Sequence, residues 1–310
     1  MLDHCIASSA APPAALVLAL AHAADPPYGQ QECAFDHHPS QTHGSLPLFL
    51  VEGPSQARVT AVLRPGTRPP GADKALRVVR LLSYRRRHWP HTHMLGRGAS
   101  HCATPQGSAG VASYRWTAVV VGLAGHAVLL RQAAATLQEA RRRQHPRGAL
   151  AHAHGQTPPP RSRLYAELVD GAGAWAPPWR VVLKAEGMQV DDTPRCVVTA
   201  LAAPTPQRLY DDRYGARGPG AHALKAGQHA RHSARTSATP FLANALRLLR
   251  ACAASVLHQA LRTPTLPPTA LAHAPPSLVI RTLFTIAPQL TQDKDRLLLH
   301  LPSACPVTVL

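Results

Sequence analysis

The chain has 310 residues, 45% hydrophobic but only 5% aromatic, with 31 prolines and a formal net charge of +17. Such a length holds one large domain or two small ones around a real core. No apolar run is long enough for a membrane-spanning helix, and six scattered cysteines without a Cys-x-x-Cys pair argue against a zinc ribbon or disulfide scaffold and fit a reducing cytoplasm.

The charge points to an anionic partner, nucleic acid first. All but four of the 33 basic residues are arginine, which a GC-rich gene also produces.

The first element expected is a strand over Ala14–Ala21, ended by Asp25-Pro26-Pro27. The same run resembles the apolar core of a signal peptide, but the chain starts Met1-Leu2-Asp3-His4 without the positive segment that such a leader needs. Leu46–Glu52 and Ala57–Leu63 read as a hairpin around Gly53-Pro54-Ser55. Ala72–His88 has a helical rhythm and ends on Arg85-Arg86-Arg87, where cations suit the helix dipole. A short strand over Thr92–Leu95 runs into Gly96-Arg97-Gly98. Thr117–Leu123 is a buried strand and Val128–Arg143 a helix.

A polar, Pro-rich linker is expected over Gly148–Arg163, then strands over Leu164–Val169, Arg180–Lys184 and Arg195–Leu201. Helices follow over Pro206–Tyr214, Ala221–Arg231 and Pro240–Arg262. The tail has apolar runs at Leu278–Ile286 and Leu297–Leu301, both read as strands. This order predicts an α/β domain with a small β subdomain. Its parts are 14–147 as the first part of the core, 148–205 as linker and β-rich insert, 206–262 as the helical last part, and 263–310 as a tail.

Two chemistries receive little support. Histidines at His37, His38 and His43, at His88, His91 and His93, and at His145, His152 and His154 have ligand-like spacing. They sit in Pro-rich surroundings in a chain with 19 histidines, so no metal is expected there. Ser100-His101 and His232-Ser233 lack a nucleophile-elbow pattern.

Tyr214, Arg217, Gly218, Lys225, Arg235-Thr236-Ser237 and Phe241-Leu242-Ala243-Asn244 stand in an order and spacing that resemble the last block of the group 1 DDE transposases of bacterial insertion sequences. The resemblance extends over about 14–310. Asp25-Pro26-Pro27-Tyr28-Gly29-Gln30-Gln31-Glu32 is similar to the segment after the family's first strand. Pro47–Gly53 and Val62–Ala72 resemble the family's second and third strands and the loop after them. Arg97-Gly98-Ala99-Ser100-His101 resembles the family's Arg-Gly-Asp-Ser-His, and Gly122-Leu123-Ala124-Gly125-His126-Ala127 its Gly-Leu-Ala-x-Asn. Arg180–Glu186 and Pro194–Thr199 resemble the strands before the last block.

The resemblance implies a ribonuclease H-like mixed sheet flanked by helices, with a small β-rich insert. It implies DNA as partner, and a two-metal reaction in which carboxylates hold Mg²⁺ ions about 3.5–4 Å apart. It places the family's three acids at Ala21, Ala99 and Ala221, and alanine supplies no ligand atom. Asp25 lies about 13 Å beyond Ala21 along an extended strand. Asp211 and Asp212 precede Ala221 by at least about 13 Å if helical. A degenerate site without metal cofactor is therefore expected. Arg217, Lys225, Arg213, Arg85, Arg86 and Arg87 are the candidates for phosphate contact, Arg217 because family members place it beside the active site. Family members normally carry a further N-terminal region for recognising transposon ends, so non-specific, electrostatic DNA binding is the expectation. A non-enzymatic DNA-binding remnant and a poorly folded product of a decaying gene stay open as alternatives.

Overall fold

The computed structural model describes residues 11–22, 27, 29–37, 42–53, 58–66, 84–100, 103, 117–154, 161–170, 179–187, 194–215, 237–266, 269, 271–272, 274–293, 296–300 and 302. The helix expected over Ala221–Arg231, most of that over Ala72–His88, and Ala221, Arg217 and Lys225 lie outside them; 84–88 is helical as expected.

In chain order the strands are β1 (Ala15–His22), β2 (Phe35–His37), β3 (Thr42–Gly44), β4 (Leu48–Glu52), β5 (Arg58–Val62), β6 (His93–Gly98) and β7 (Thr117–Leu123). Helix α1 (Ala127–Ala153) precedes β8 (Arg163–Asp170), β9 (Trp179–Glu186) and β10 (Arg195–Thr199). Next come α2 (Pro206–Arg208), continued as a π-helix over Leu209–Tyr214, and α3 (Phe241–Thr265). Then α4 (Pro276–Val279) continues as a second π-helix over Ile280–Phe284, before β11 (Gln289–Asp293) and β12 (Arg296–His300).

One eight-stranded sheet has the order β5-β4-β1-β6-β7-β10-β9-β8. β1 pairs antiparallel with β4 and parallel with β6, and β6 pairs parallel with β7. These five strands have the ribonuclease H-like arrangement, with an antiparallel meander on one side of β1 and two parallel strands on the other. β10, β9 and β8 extend the same sheet antiparallel from β7. The β-rich segment 148–205 thus adds its strands edge-on to the core sheet. Two small hairpins, β2–β3 and β11–β12, stand apart from it.

Alternation along the central strands explains why they are largely apolar. Leu50, Val119, Val121, Val181, Leu183 and Val198 bury one side against Leu129, Ala133, Leu137 and Ala140 of α1, which recur at helical spacing on one stripe. Their neighbours Phe49 and Val51 bury the opposite side against Leu248 and Cys252 of α3. Val120, Val182 and Val197 bury that same opposite side against Leu209 and Tyr210 of the first π-helix. Where the sheet is covered on both faces its strands are apolar, and each Val, Leu or Phe so buried contributes about 1.5–3 kcal/mol. Toward the β8 edge Arg163, Glu167, Arg180, Lys184 and Glu186 share one face and form ion pairs.

Two expectations are corrected. The helix expected to stop at Arg143 runs on to Ala153 through Pro146. Proline costs roughly 3 kcal/mol in a helix interior, yet the alanines beyond it propagate helix well. The run Leu278–Ile286, read as a strand, is helical over most of its length. A short apolar run does not distinguish the two states, and Pro276 at the first turn favours helix.

The start of α3 is built from distant parts of the chain. Pro240 offers no capping side chain. Instead a Glu32 carboxylate oxygen accepts from the Phe241 amide at 2.8 Å, and the Glu32 amide donates to the Thr239 carbonyl at 3.0 Å. An acid at that position also complements the helix dipole. Asn244, buried, accepts from the Ala238 amide at 3.0 Å and donates to the Ala238 carbonyl at 2.6 Å, fixing the turn into the helix.

Candidate functional site

β1 and β6 run side by side in parallel, with Ala19 opposite Arg97 and Leu20 opposite Gly98. Ala21 and Ala99 are the next positions along these two chains, just past the last paired residues. Ala21 also pairs across β4 with Phe49, so it lies on the α3 face. Leu95 packs on that same side against the first π-helix, and alternation puts Arg97 and Ala99 there too. The fold thus brings together two of the three positions singled out in the sequence, each carrying only a methyl group.

Arg97 stands beside them. It is 7% exposed, and its Nε is buried without a hydrogen-bond partner among the described residues. Burial holds its guanidinium below the ordinary arginine range, and the positive charge of Arg213 adds to the effect. Arg213 comes from the exposed side of the π-helix.

The π-helix brings an aromatic group onto the end of β7. The start of α2, which leads into this π-helix, is set by Thr205, whose hydroxyl accepts from the Arg208 amide at 3.4 Å, and by Pro206 in the first turn. Tyr210 and Tyr214 stack edge-on with ring centroids 5.3 Å apart. Gly122 makes room for Tyr214: a Cβ there would stand 2.6 Å from its hydroxyl oxygen and 3.0 Å from the Ser100 amide nitrogen. The hydroxyl therefore sits where β6 and β7 end, next to Ala99.

Of the two acids on the π-helix, Asp211 is engaged elsewhere and Asp212 is exposed. Both carboxylate oxygens of Asp211 lie within hydrogen-bond range of the Tyr165 hydroxyl, at 2.8 and 2.7 Å, tying the helix to β8. Lys184 pairs with Glu186 at 3.0 Å and stands 5.2 Å from the centre of the Tyr210 ring. Burial, with Tyr214 as a lesser cause, pushes the Tyr210 hydroxyl up to about 12. An unfolded tyrosine ionises near pH 10, so this contribution to stability is complete below about pH 10 and is lost as pH rises toward about 12. The expected result is a fall in denaturation midpoint over that window, flatter in Y210F; identical profiles would refute the assignment.

The Arg85-Arg86-Arg87 triplet divides. Arg85 is 1% exposed and turned into the core, with its guanidinium 5.0 Å from the centre of the Trp89 ring. Arg86 is spent on structure: it donates to the Pro90 and Thr92 carbonyls at 2.9 and 2.7 Å and to the Thr117 hydroxyl at 3.0 Å. The expectation that all three meet phosphate is corrected for these two, because one is sequestered and the other clamps the start of β6 to β7. Arg87 is exposed. On α1, Arg142 and Arg143 pair with Glu139 at 2.8 and 2.7 Å. Sequence reasoning did not single out Arg97, Glu32 or Gly122 as chemically important. Only Arg97 carried a signal, as a charged residue inside an otherwise apolar and glycine-rich strand.

Among the described residues no helix is long and apolar enough to cross a membrane, and Cys33, Cys196 and Cys252 form no disulfide. Comparison with curated proteins finds no match. Among solved structures, the chain is similar to a piggyBac transposase in a synaptic complex with hairpin DNA, with 12% identity and a TM-score of 0.45 over 80% of this chain. It spans about half, 48%, of the length of that transposase chain. The family model described as transposase DDE domain group 1 matches residues 1–310, and the chain belongs to that family.

Proposed function

We propose that this protein is a catalytically degenerate DDE-type transposase relative that binds DNA through charge without cutting it. The observation that carries the reading is the pair Ala21 and Ala99 at adjacent ends of β1 and β6, with Arg97 beside them. In this reading they occupy the positions of two family acids, and Ala221 that of the third. Two methyl groups and a guanidinium do not fit a divalent cation, which needs oxygen ligands to neutralise its charge. No step through a metal follows for this chain. Asp211, engaged by Tyr165, is not free to replace a missing ligand.

The net charge of +17 supports DNA as partner. Arg87 and Arg213 are exposed arginines suited to phosphate contact, and Arg217 and Lys225 join them as expectations from the resemblance. Binding of this kind depends on salt: for about six phosphate contacts, affinity falls roughly a thousand-fold from about 50 to 200 mM salt.

The test is incubation of the full chain with supercoiled plasmid in Mg²⁺ or Mn²⁺, beside a fluorescence-anisotropy titration with duplex DNA at several salt concentrations. The expected outcome is salt-sensitive, sequence-indifferent binding with no nicked product. Metal-dependent nicking that co-purifies with the chain would overturn the degenerate reading, and absence of binding at low salt would remove the DNA partner.

A further inference from the structure

We propose that the ends of β1 and β6 form an anion site, in which Arg97 and Arg213 hold a phosphate group. This deepens the DNA-binding reading and rests on it only for the source of the phosphate. Three features converge on that chemistry. Arg97 is 7% exposed, and its Nε has no acceptor among the described residues. The charge acting on it is a second cation, Arg213, which projects from the exposed side of the π-helix. Ala21 and Ala99, on the same face, contribute methyl groups and no carboxylate of their own.

A cation held out of water with no counter-ion among the described residues carries a large desolvation cost. A tetrahedral oxyanion would relieve it, because a guanidinium offers paired N–H donors that match phosphate oxygens. The missing acids matter twice over. Carboxylates at Ala21 and Ala99 would neutralise Arg97, and their replacement by methyl groups leaves it available to an anion. The site's preference is thereby inverted from cation to anion.

The experiment is thermal unfolding of the full chain with inorganic phosphate, at ionic strength held constant with chloride. Phosphate should raise the unfolding temperature of the parent, and R97M should lose that increment. R97M should melt no lower than the parent in chloride, since it removes a buried charge whose Nε has no acceptor among the described residues. R213A changes an exposed side chain and should fold normally, with the phosphate concentration for half-maximal effect raised by about tenfold. Equal phosphate increments in parent and R97M, or none in the parent, would sink the proposal.

Saturating duplex DNA separates the two sources. Loss of the phosphate increment marks the DNA backbone as occupant, and its persistence marks a free anion. The nicking assay is independent: a chain that cut DNA yet kept an Arg97-dependent phosphate response would lose the degenerate reading and retain this site.

Discussion

The double variant A21D/A99D should acquire a response to divalent cations that the parent lacks. Its two carboxylates would project from the same face of neighbouring strand ends, where strands are spaced by about 4.8 Å. At an effective dielectric near 20, two unit charges at about that distance repel by roughly 3.5 kcal/mol. Without metal the double variant should therefore unfold below either single variant, in each of which the lone carboxylate sits near Arg97. Mn²⁺ at about 100 times its dissociation constant should restore about 2.7 kcal/mol. The measurement is thermal unfolding with and without Mn²⁺, repeated in the R97M background so that no buried guanidinium competes for the new carboxylates. Strand transfer should not return, because position 221 still carries alanine. A double variant indifferent to Mn²⁺ in both backgrounds would show that these positions do not face one another.

F49A should be the most damaging of the simple core truncations. Phe49 is fully buried between β1 and α3, against Leu248 and Cys252, with the Arg58 guanidinium 5.5 Å from its ring centre. Removing a ring of this kind costs about 3–5 kcal/mol, since the surroundings close only partly over the cavity. Arg58 would also lose the aromatic face that supports a buried charge. L257A, on the same helix, is the control: Leu257 is 68% exposed, and its truncation should change stability by no more than about 0.5 kcal/mol. Comparable shifts in the denaturant midpoints of F49A and L257A would contradict the packing of α3 on this face.

Much of the sheet was legible in the residue pattern. Thr117–Leu123 and Arg195–Thr199 are apolar at successive positions because both faces of the sheet are covered. The same logic made the tail illegible: a short apolar run after two prolines satisfies a strand or a helical turn equally, and here Pro276 starts a helix. Proline misled in the other direction at Pro146, where alanine-rich flanks carry α1 past it.

The site was legible as residue identities and illegible as geometry. The resemblance pointed to Ala21 and Ala99 separately, and nothing in a linear string relates positions that far apart. Parallel pairing of β1 with β6 relates them. The arginines show the reverse problem. Arg85, Arg86 and Arg87 are equivalent as letters, yet one is buried, one is spent on backbone carbonyls and one reaches solvent. Rotation about a helix axis decides this.

What the sequence by itself determined is local and compositional: the apolar runs that must be buried, the excess of positive charge, and methyl groups at positions where the resemblance puts carboxylates. None of these depends on how the chain closes. Only the tertiary structure decided which residues meet. It set Glu32 on the start of α3, Tyr214 against Gly122, and Arg97 in a buried position with another arginine for its charged neighbour. The physical reason is that burial and electrostatic environment belong to a place in space rather than to a residue. Arg97 is ordinary in the sequence and becomes distinctive only when the sheet and the π-helix enclose it.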